Sequence, residues 1–292
     1  MIDHKPVLLD EVMRYLDPQP GQIIIDGTLG LAGHAQIIAS KVGPRGKVVG
    51  IEQDPRTLKF LKSADLPAPI KIVQGNFVDI QKILNRLNIK RVNAILLDLG
   101  VSSWQIQSYE HGLSWQVEAP LDMRLNGNGE SARALLVRLK EKDLANLLYR
   151  TADENRSRNI AKTIKDSIRS IGTTKELAEA IESAMPQRGK IHPATKTFMA
   201  LRMAVNHELE NLQKFLKIAP DVLSLPKGPL RGGGKVAVIS FHSGEDRIVK
   251  NAFKEDIWHS VTKKPIVPGR DEIKQNPSSR SAKLRVAQIN KI

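Results

Sequence analysis

Cysteine is absent from the 292 residues. That excludes disulfides and Cys-rich zinc sites, and it removes the thiolate as a catalytic nucleophile. No apolar run approaches the length of a membrane span, and Ile23 to Ile25 is far too brief. The first residues, Met-Ile-Asp-His-Lys-Pro, hold no apolar signal region. No internal repeat is visible. The expectation is a cytoplasmic protein with no membrane partner and no metal site.

Negative charge is also scarce where it would balance the positive. The chain carries a net charge of +14, and the excess is segregated. Residues 1–132 hold 14 basic and 14 acidic side chains. Residues 133–202 hold 15 and 8, and residues 227–292 hold 14 and 6. Charge gathered in two regions suits a polyanion lying across one face. Solvated helix faces with a basic tail are the plainer alternative. At 41% apolar content the chain can build a core.

Four short apolar runs fill the first third: Gln22–Asp26, Lys47–Ile51, Ile70–Val73 and Val92–Leu97. They are rich in β-branched residues and leucine and alternate little, as strands buried on both faces of a parallel sheet do. Helical patterns at His34–Lys41, Arg56–Ser63 and Ile80–Leu87 lie between them. The β-α-β-α alternation predicts a doubly wound sheet with right-handed crossovers. A fifth strand, Lys235–Phe241, comes only after a long segment, and Tyr109 to about Arg202 reads mostly helical. There Thr173-Thr174-Lys175-Glu176 has the form of a capping box. Pro193 opens a helix whose stripe of Phe198, Leu201, Val205, Leu209, Leu212 and Leu216 runs back to the sheet. Lys264–Val267 and Ala282–Ile289 are expected to form a hairpin at the sheet edge.

The motifs with chemical content all follow strands. Asp26-Gly27-Thr28-Leu29-Gly30-Leu31-Ala32-Gly33-His34 is a glycine loop feeding a helix N-terminus. Its Gly-x-x-Gly-x-x-Gly spacing differs from the dinucleotide fingerprint. Asp26 would repel a pyrophosphate and suits a cationic ligand such as a sulfonium. Glu52 ends the second strand, where a carboxylate can accept ribose hydroxyls; an exposed loop acid is the alternative. Asp54 with Pro55 reads as the cap of the next helix. Phe77 is either a flank for an adenine ring or a core aromatic. Asp98, Ser102, Ser103 and Gln105 follow the fourth strand, where ligands of open sheets gather, or else satisfy a tight turn. Ala119-Pro120-Leu121-Asp122-Met123-Arg124 is a further candidate stretch, within the inserted segment. Ser240-Phe241-His242-Ser243-Gly244-Glu245-Asp246-Arg247 follows the fifth strand. Its acid pair either opens the next helix or serves the ligand edge.

Together these segments resemble one family, the small-subunit rRNA (cytosine-N4)-methyltransferases called RsmH or MraW. The likeness rests on His4–Leu9, Asp26–His34, Leu97–Gln105, Pro120–Arg124, Thr197–Leu209, Ser240–Lys250 and Asn276–Arg285, in family order along nearly the whole chain. Ala32 stands where the family usually has Gly, Glu52 where it has Asp, Leu113 and Trp115 where it has Phe, and Gly244 where it has Leu. The resemblance implies a Rossmann-like class I methyltransferase, α/β, with a mostly parallel seven-stranded sheet and an inserted helical domain. Residues 1–108 and 203–292 would form the methyltransferase domain, and residues 109–202 the RNA-recognising insertion. It implies S-adenosyl-L-methionine as cofactor, contacted at Ala32, Gly33, His34, Glu52, Phe77, Asp98 and Gln105. The substrate it implies is a cytidine of 16S rRNA in the decoding region, within the small ribosomal subunit. Asp122, Ser102 and His242 are the expected base-facing, catalytic residues. A homodimer is left open. The missing cysteine disfavours a ring carbon, which needs thiolate attack, and leaves an exocyclic amine, a ring nitrogen or an oxygen as the acceptor.

If the two basic regions hold an RNA backbone, affinity for RNA should fall steeply with salt, by about 10³-fold or more between 50 and 200 mM for six or more phosphate contacts. Filter binding across that range checks it, and a flat response would contradict the assignment.

Overall fold

The computed structural model describes residues 6–185, 192–225 and 233–290. His4 and Lys5, which belong to the first family-like stretch, lie outside them. Two compact units are present: Met1–Gly100 with Leu209–Ile292, and Val101–Glu208.

The first unit begins with helix α1 (Leu9–Leu16), then strand β1 (Ile23–Asp26), α2 (Gly33–Val42), β2 (Lys47–Glu52), α3 (Pro55–Lys62), β3 (Ile70–Gln74), α4 (Ile80–Arg86) and β4 (Ala94–Asp98). The second unit holds α5 (Ser103–Gln107), α6 (Ala132–Arg138), α7 (Glu141–Ala152), α8 (Ser157–Asp166), α9 (Thr174–Ala184) and α10 (Thr195–Val205). The chain returns through α11 (Glu208–Val222), β5 (Lys235–Ser240), α12 (Ser243–Ala252), β6 (Trp258–Ser260), α13 (Arg270–Gln275) and β7 (Lys283–Ile289).

The seven strands lie in the order β3-β2-β1-β4-β5-β7-β6. β1 to β5 are parallel, and β7 and β6 are antiparallel at one edge. The weak alternation of the strand sequences has a direct cause. Ile25, Val49, Ile95, Leu97, Val236 and Val238 enter one buried cluster. Their neighbours Ile24, Val48, Leu96, Ala237 and Ile239 enter another on the opposite face. Helices cover both faces, so every side chain of a central strand must be apolar. At the β3 edge this demand relaxes, and Lys71 and Gln74 are exposed.

Three expectations need correction. The edge hairpin is not Lys264–Val267 with Ala282–Ile289. The strand beside β7 is Trp258–Ser260, and the later segment contributes only the bridge Ile266↔Leu284. Val261 and Thr262 both donate main-chain bonds to Val286 O, which interrupts the ladder between the two pieces as a bulge does. Second, residues 109–131 contain no helix. They are pinned as extended loop by Leu121 N→Gly172 O (3.1 Å), Met123 N→His111 O (2.9 Å) and Thr174 Oγ1→Val117 O (2.6 Å). Third, the stripe from Phe198 to Leu216 is two helices. His207 sits at φ 51°, outside the right-handed region. Asn206 before it accepts from Leu125 N at 2.9 Å and donates to Met123 O at 2.8 Å. The stripe serves two cores: Phe198 and Leu201 pack with α6 to α9, Leu212 and Leu216 with the sheet.

The capping box of α9 is present, with Thr173 Oγ1 accepting from Glu176 N (3.2 Å) and Glu176 Oε2 accepting from Thr173 N (2.8 Å). Asp54 caps α3, accepting from Arg56 N and Thr57 Oγ1, with Pro55 in its first turn.

Asn206→Ala should cost about 2 kcal/mol, because two main-chain groups of the loop lose their partner together. Chemical denaturation followed by a probe in the helical unit measures it; a loss under about 0.5 kcal/mol would show that the clamp is dispensable.

Candidate active site at the carboxyl ends of the strands

Asp26, Glu52 and Asp98 are the last residues of β1, β2 and β4. Parallel pairing in register therefore brings three carboxylates to one edge of the sheet, where ligands of open α/β folds bind. The glycine loop is stitched across that edge. Gly27 N donates to Leu96 O (2.9 Å), Leu29 N to Ile51 O (2.9 Å), and Asp98 N to Thr28 Oγ1 (2.6 Å). A Cβ at Gly27 would stand 2.4 Å from Leu97 Cδ2 and 3.2 Å from Phe77 Cβ, so any larger residue there must displace the packing beneath the loop.

Glu52 is buried, not an exposed loop acid. Its Oε2 accepts from Gly30 N (3.0 Å) and its Oε1 from Asp54 N (2.8 Å), tying the glycine loop to the end of β2. Ala32 is fully buried at φ 64°, ψ 21°, the left-handed cap of α2. A non-glycine residue there carries strain of about 1–2 kcal/mol, so the methyl group sits at a position that favours glycine. Gly33 follows with Pro6 against it; a Cβ at Gly33 would meet Pro6 Cγ at 2.6 Å. His34 Nε2 lies 3.0 Å from Val7 O, and its Nδ1 lies 3.7 Å from Asp98 Oδ2. The contacts of Pro6 and Val7 had no local signal, since their partners lie 27 residues away.

Burial raises all three acids. Asp26 is pushed up to about 7 by desolvation, against a weak bond from Thr28 N. Glu52 rises to about 7, again by burial, with Asp54 adding repulsion. Asp98 rises to about 8 through desolvation and the nearby charges of Asp26 and Glu245. Its side chain keeps 23% exposure, yet Oδ1 is enclosed and has no hydrogen-bond partner among the described residues. The desolvation acts on that oxygen, and the remaining surface leaves the group reachable.

Phe77 packs edge-on to Phe215 with centroids 5.6 Å apart and is 9% exposed, so its core role is evident. His242 caps α12, its Nδ1 accepting from Glu245 N at 3.4 Å. Its Nε2 stands 3.2 Å from Glu245 Oε1, in ion-pair range without hydrogen-bond alignment. Glu245 Oε2 accepts from Phe241 N (2.8 Å). Glu245 thus serves this edge as well as the helix start. Its position three residues after the cap is the spacing of a capping box, which is the signal that could have marked it. A Cβ at Gly244 would come within 3.2 Å of the His242 ring, so glycine leaves that ring room.

Three site candidates belong to the helical unit. Ser102 and Gln105 form the capping box of α5: Gln105 N donates to Ser102 Oγ (3.2 Å), and Ser102 N to Gln105 Oε1 (3.0 Å). Asp122 is held by a two-pronged bond from Arg124, Nε→Oδ1 and Nη2→Oδ2, both 2.7 Å. No group of three or more His, Asp or Glu side chains suited to a metal occurs among the described residues. A cavity of about 640 Å³ opens at the opposite ends of the strands, lined by Ser40, Pro44, Lys47, Pro69 and Lys71. No acid of the site reaches it, so it is separate from the chemistry. Among the described residues, no helix is long and apolar enough to cross a membrane.

The chemistry fits a cationic ligand bearing hydroxyls: buried acids, an orphaned carboxylate oxygen and a glycine loop that brings main chain close. A family model described as the MraW methylase family matches residues 1–290. A Deinococcus radiodurans protein named ribosomal RNA small subunit methyltransferase H is 44% identical over 98% of this chain and 89% of its own. Its namesake in Acidobacterium capsulatum is 39% identical over 98% of both chains. A solved rRNA methylase from Streptococcus thermophilus is 9% identical, with TM-score 0.43, over 99% of this chain and 98% of its own.

The raised acids make stability depend on pH. Unfolded, Asp98 ionises near its ordinary value of 3.8; folded, only near 8. Between those values the native state holds a proton that the unfolded chain has released, so stability falls as pH rises. Without cofactor, Asp98→Asn should therefore stabilise the protein at pH 8 by at least about 1 kcal/mol and flatten the profile. Thermal melts from pH 5 to 8.5 decide this; an unaltered profile would mean that burial is not what Asp98 responds to.

Proposed function

The chain belongs to the MraW methylase family, and from that premise we propose that it methylates the exocyclic N4 amine of one cytidine in the decoding region of 16S rRNA. S-adenosylmethionine is the methyl donor, and ribosomal RNA is the substrate class. The observation that supports the reading best is the buried acid edge, with Asp98 Oδ1 left without a hydrogen-bond partner among the described residues. Such an edge favours a sulfonium and an ammonium and disfavours a phosphate.

When bound, the donor supplies a methyl group on positively charged sulfur, open to in-line displacement. The protein's part is positioning and electrostatics. Glu52, already receiving Gly30 N and Asp54 N, has remaining lone pairs for ribose hydroxyls. Asp26 and Asp98 lower the energy of positive charge along the strand ends. The cytosine amine is a weak nucleophile, because its lone pair is delocalised into the ring. It needs an acceptor to polarise and then take its proton. Asp122 is proposed for that role, oriented by the Arg124 fork, with Ser102 and His242 as further base-facing groups. The absence of cysteine removes the covalent route to a ring-carbon product. The base must leave its stack, at roughly a few kcal/mol if paired. The basic helical segment and C-terminal region hold the RNA backbone, and the target is presented by the small ribosomal subunit.

The test uses small subunits from a strain lacking this gene, labelled methyl donor and nucleoside mass spectrometry. Label is expected in N4-methylcytidine of 16S rRNA; label in another nucleoside, or none, would overturn the assignment. Asp122→Asn should lower kcat by about 10²-fold or more with cofactor affinity nearly unchanged. An unchanged kcat would remove Asp122 from the chemistry.

A further inference from the structure

The environment of His34 sets a ring nitrogen against a partly buried carboxylate. Val7 O is a carbonyl and can only accept, so His34 Nε2, at 3.0 Å, must carry hydrogen. In a neutral ring Nδ1 then presents a lone pair, and it faces Asp98 Oδ2 at 3.7 Å. A carboxylate against an imine lone pair is repulsive. The surroundings worsen it: Asp26 from β1 and Glu245 from α12 both add negative charge. His242, beside Glu245, is engaged by the cap of α12. The other oxygen, Asp98 Oδ1, is enclosed with no hydrogen-bond partner among the described residues.

We propose that the His34–Asp98 pair holds one proton while the site is empty and gives it up when a cationic ligand arrives, so that the pair distinguishes the charged methyl donor from its neutral demethylated product. The proton rests either on Nδ1, making an imidazolium beside a carboxylate, or on Asp98, making a neutral acid beside a neutral ring. In both cases the site keeps the same net charge. A sulfonium brings one positive charge into the cluster and displaces the proton to solvent. S-adenosylhomocysteine, whose sulfur is a neutral thioether, leaves the proton in place. Charge balance then favours donor over product, and transfer of the methyl group itself weakens the grip on what remains. The burial of Asp98, which raises it to about 8, keeps the pair protonated at neutral pH.

The proposal rests on the cofactor assignment, and the experiment separates the two. The purified protein is titrated calorimetrically at about pH 6.5 with S-adenosylmethionine, with S-adenosylhomocysteine, and with the analogue carrying a protonated amine in place of the sulfonium. Each is run in two buffers of different ionisation enthalpy, which gives the number of protons released. Expected are close to one more proton for the two cationic ligands than for the product, and a donor-to-product affinity ratio that rises with pH by up to about tenfold per unit. In Asp98→Asn the side-chain amide can donate to Nδ1, so the difference in proton release should vanish and the affinity ratio should fall about tenfold. Equal proton release by all three ligands from the wild-type protein would overturn the proposal, as would a full difference in the variant. The wild-type comparison decides the matter even if the variant does not fold. Failure of every ligand to bind would instead sink the cofactor assignment.

Discussion

Concentrated negative charge at the ends of adjacent parallel strands is the condition on which the rest of this structure turns. Asp26, Glu52 and Asp98 end β1, β2 and β4. Neighbouring strands bring their ends together, and desolvation there raises every one of the three. A fold does not gain stability from such a cluster, because buried charge of one sign is costly unless compensated. Part of the compensation is built from main-chain N–H groups: Gly30 and Asp54 on Glu52, Thr28 on Asp26. What the backbone leaves unmet, Asp98 Oδ1 above all among the described residues, is the feature on which the proposed binding of a cation rests.

The glycine loop follows from the same condition. To bring N–H groups to the acids, the main chain must pass close over the strand ends, and Gly27 and Gly30 allow that passage. Ala32 pursues the same path at a left-handed φ of 64° with a side chain that resists it. Its methyl group is fully buried in the apolar cluster under α2. Packing of a methyl contributes about 0.8 kcal/mol, which offsets a fair part of the backbone strain. Functional sites commonly store strain of this size where surrounding structure over-determines the backbone. Pro6 and Val7 lie over the loop from outside, so the N-terminal segment helps to define the site that the strands begin.

Much of this was legible in the residue order, for identifiable reasons. Strands buried on both faces must be apolar throughout, so β1, β2, β4 and β5 announced themselves. Asp54-Pro55 and Thr173…Glu176 read correctly as helix starts because capping depends on residues only two or three apart. Reading failed where partners are distant. The stripe Phe198 to Leu216 has one period but serves two cores, and Asn206 breaks it through bonds to Met123 and Leu125 some 80 residues earlier. The edge strand at Trp258 is short, and only pairing with β7 defines it. Phe77 could be read either way, and its packing on Phe215, 138 residues away, could not be foreseen.

The sequence by itself determined the class of protein: alternation of strands and helices set the sheet, the family-like segments marked an rRNA methyltransferase, and the glycine spacing with the strand-end acids suggested the kind of ligand. Those signals are read from short segments, one strand, turn or motif at a time, and need no knowledge of which segments meet in space. Tertiary structure alone decided the electrostatic state of the site. Whether an acid is ordinary or raised depends on what surrounds it, and Asp98 is surrounded by residues 26, 34 and 245, which only the folded sheet assembles.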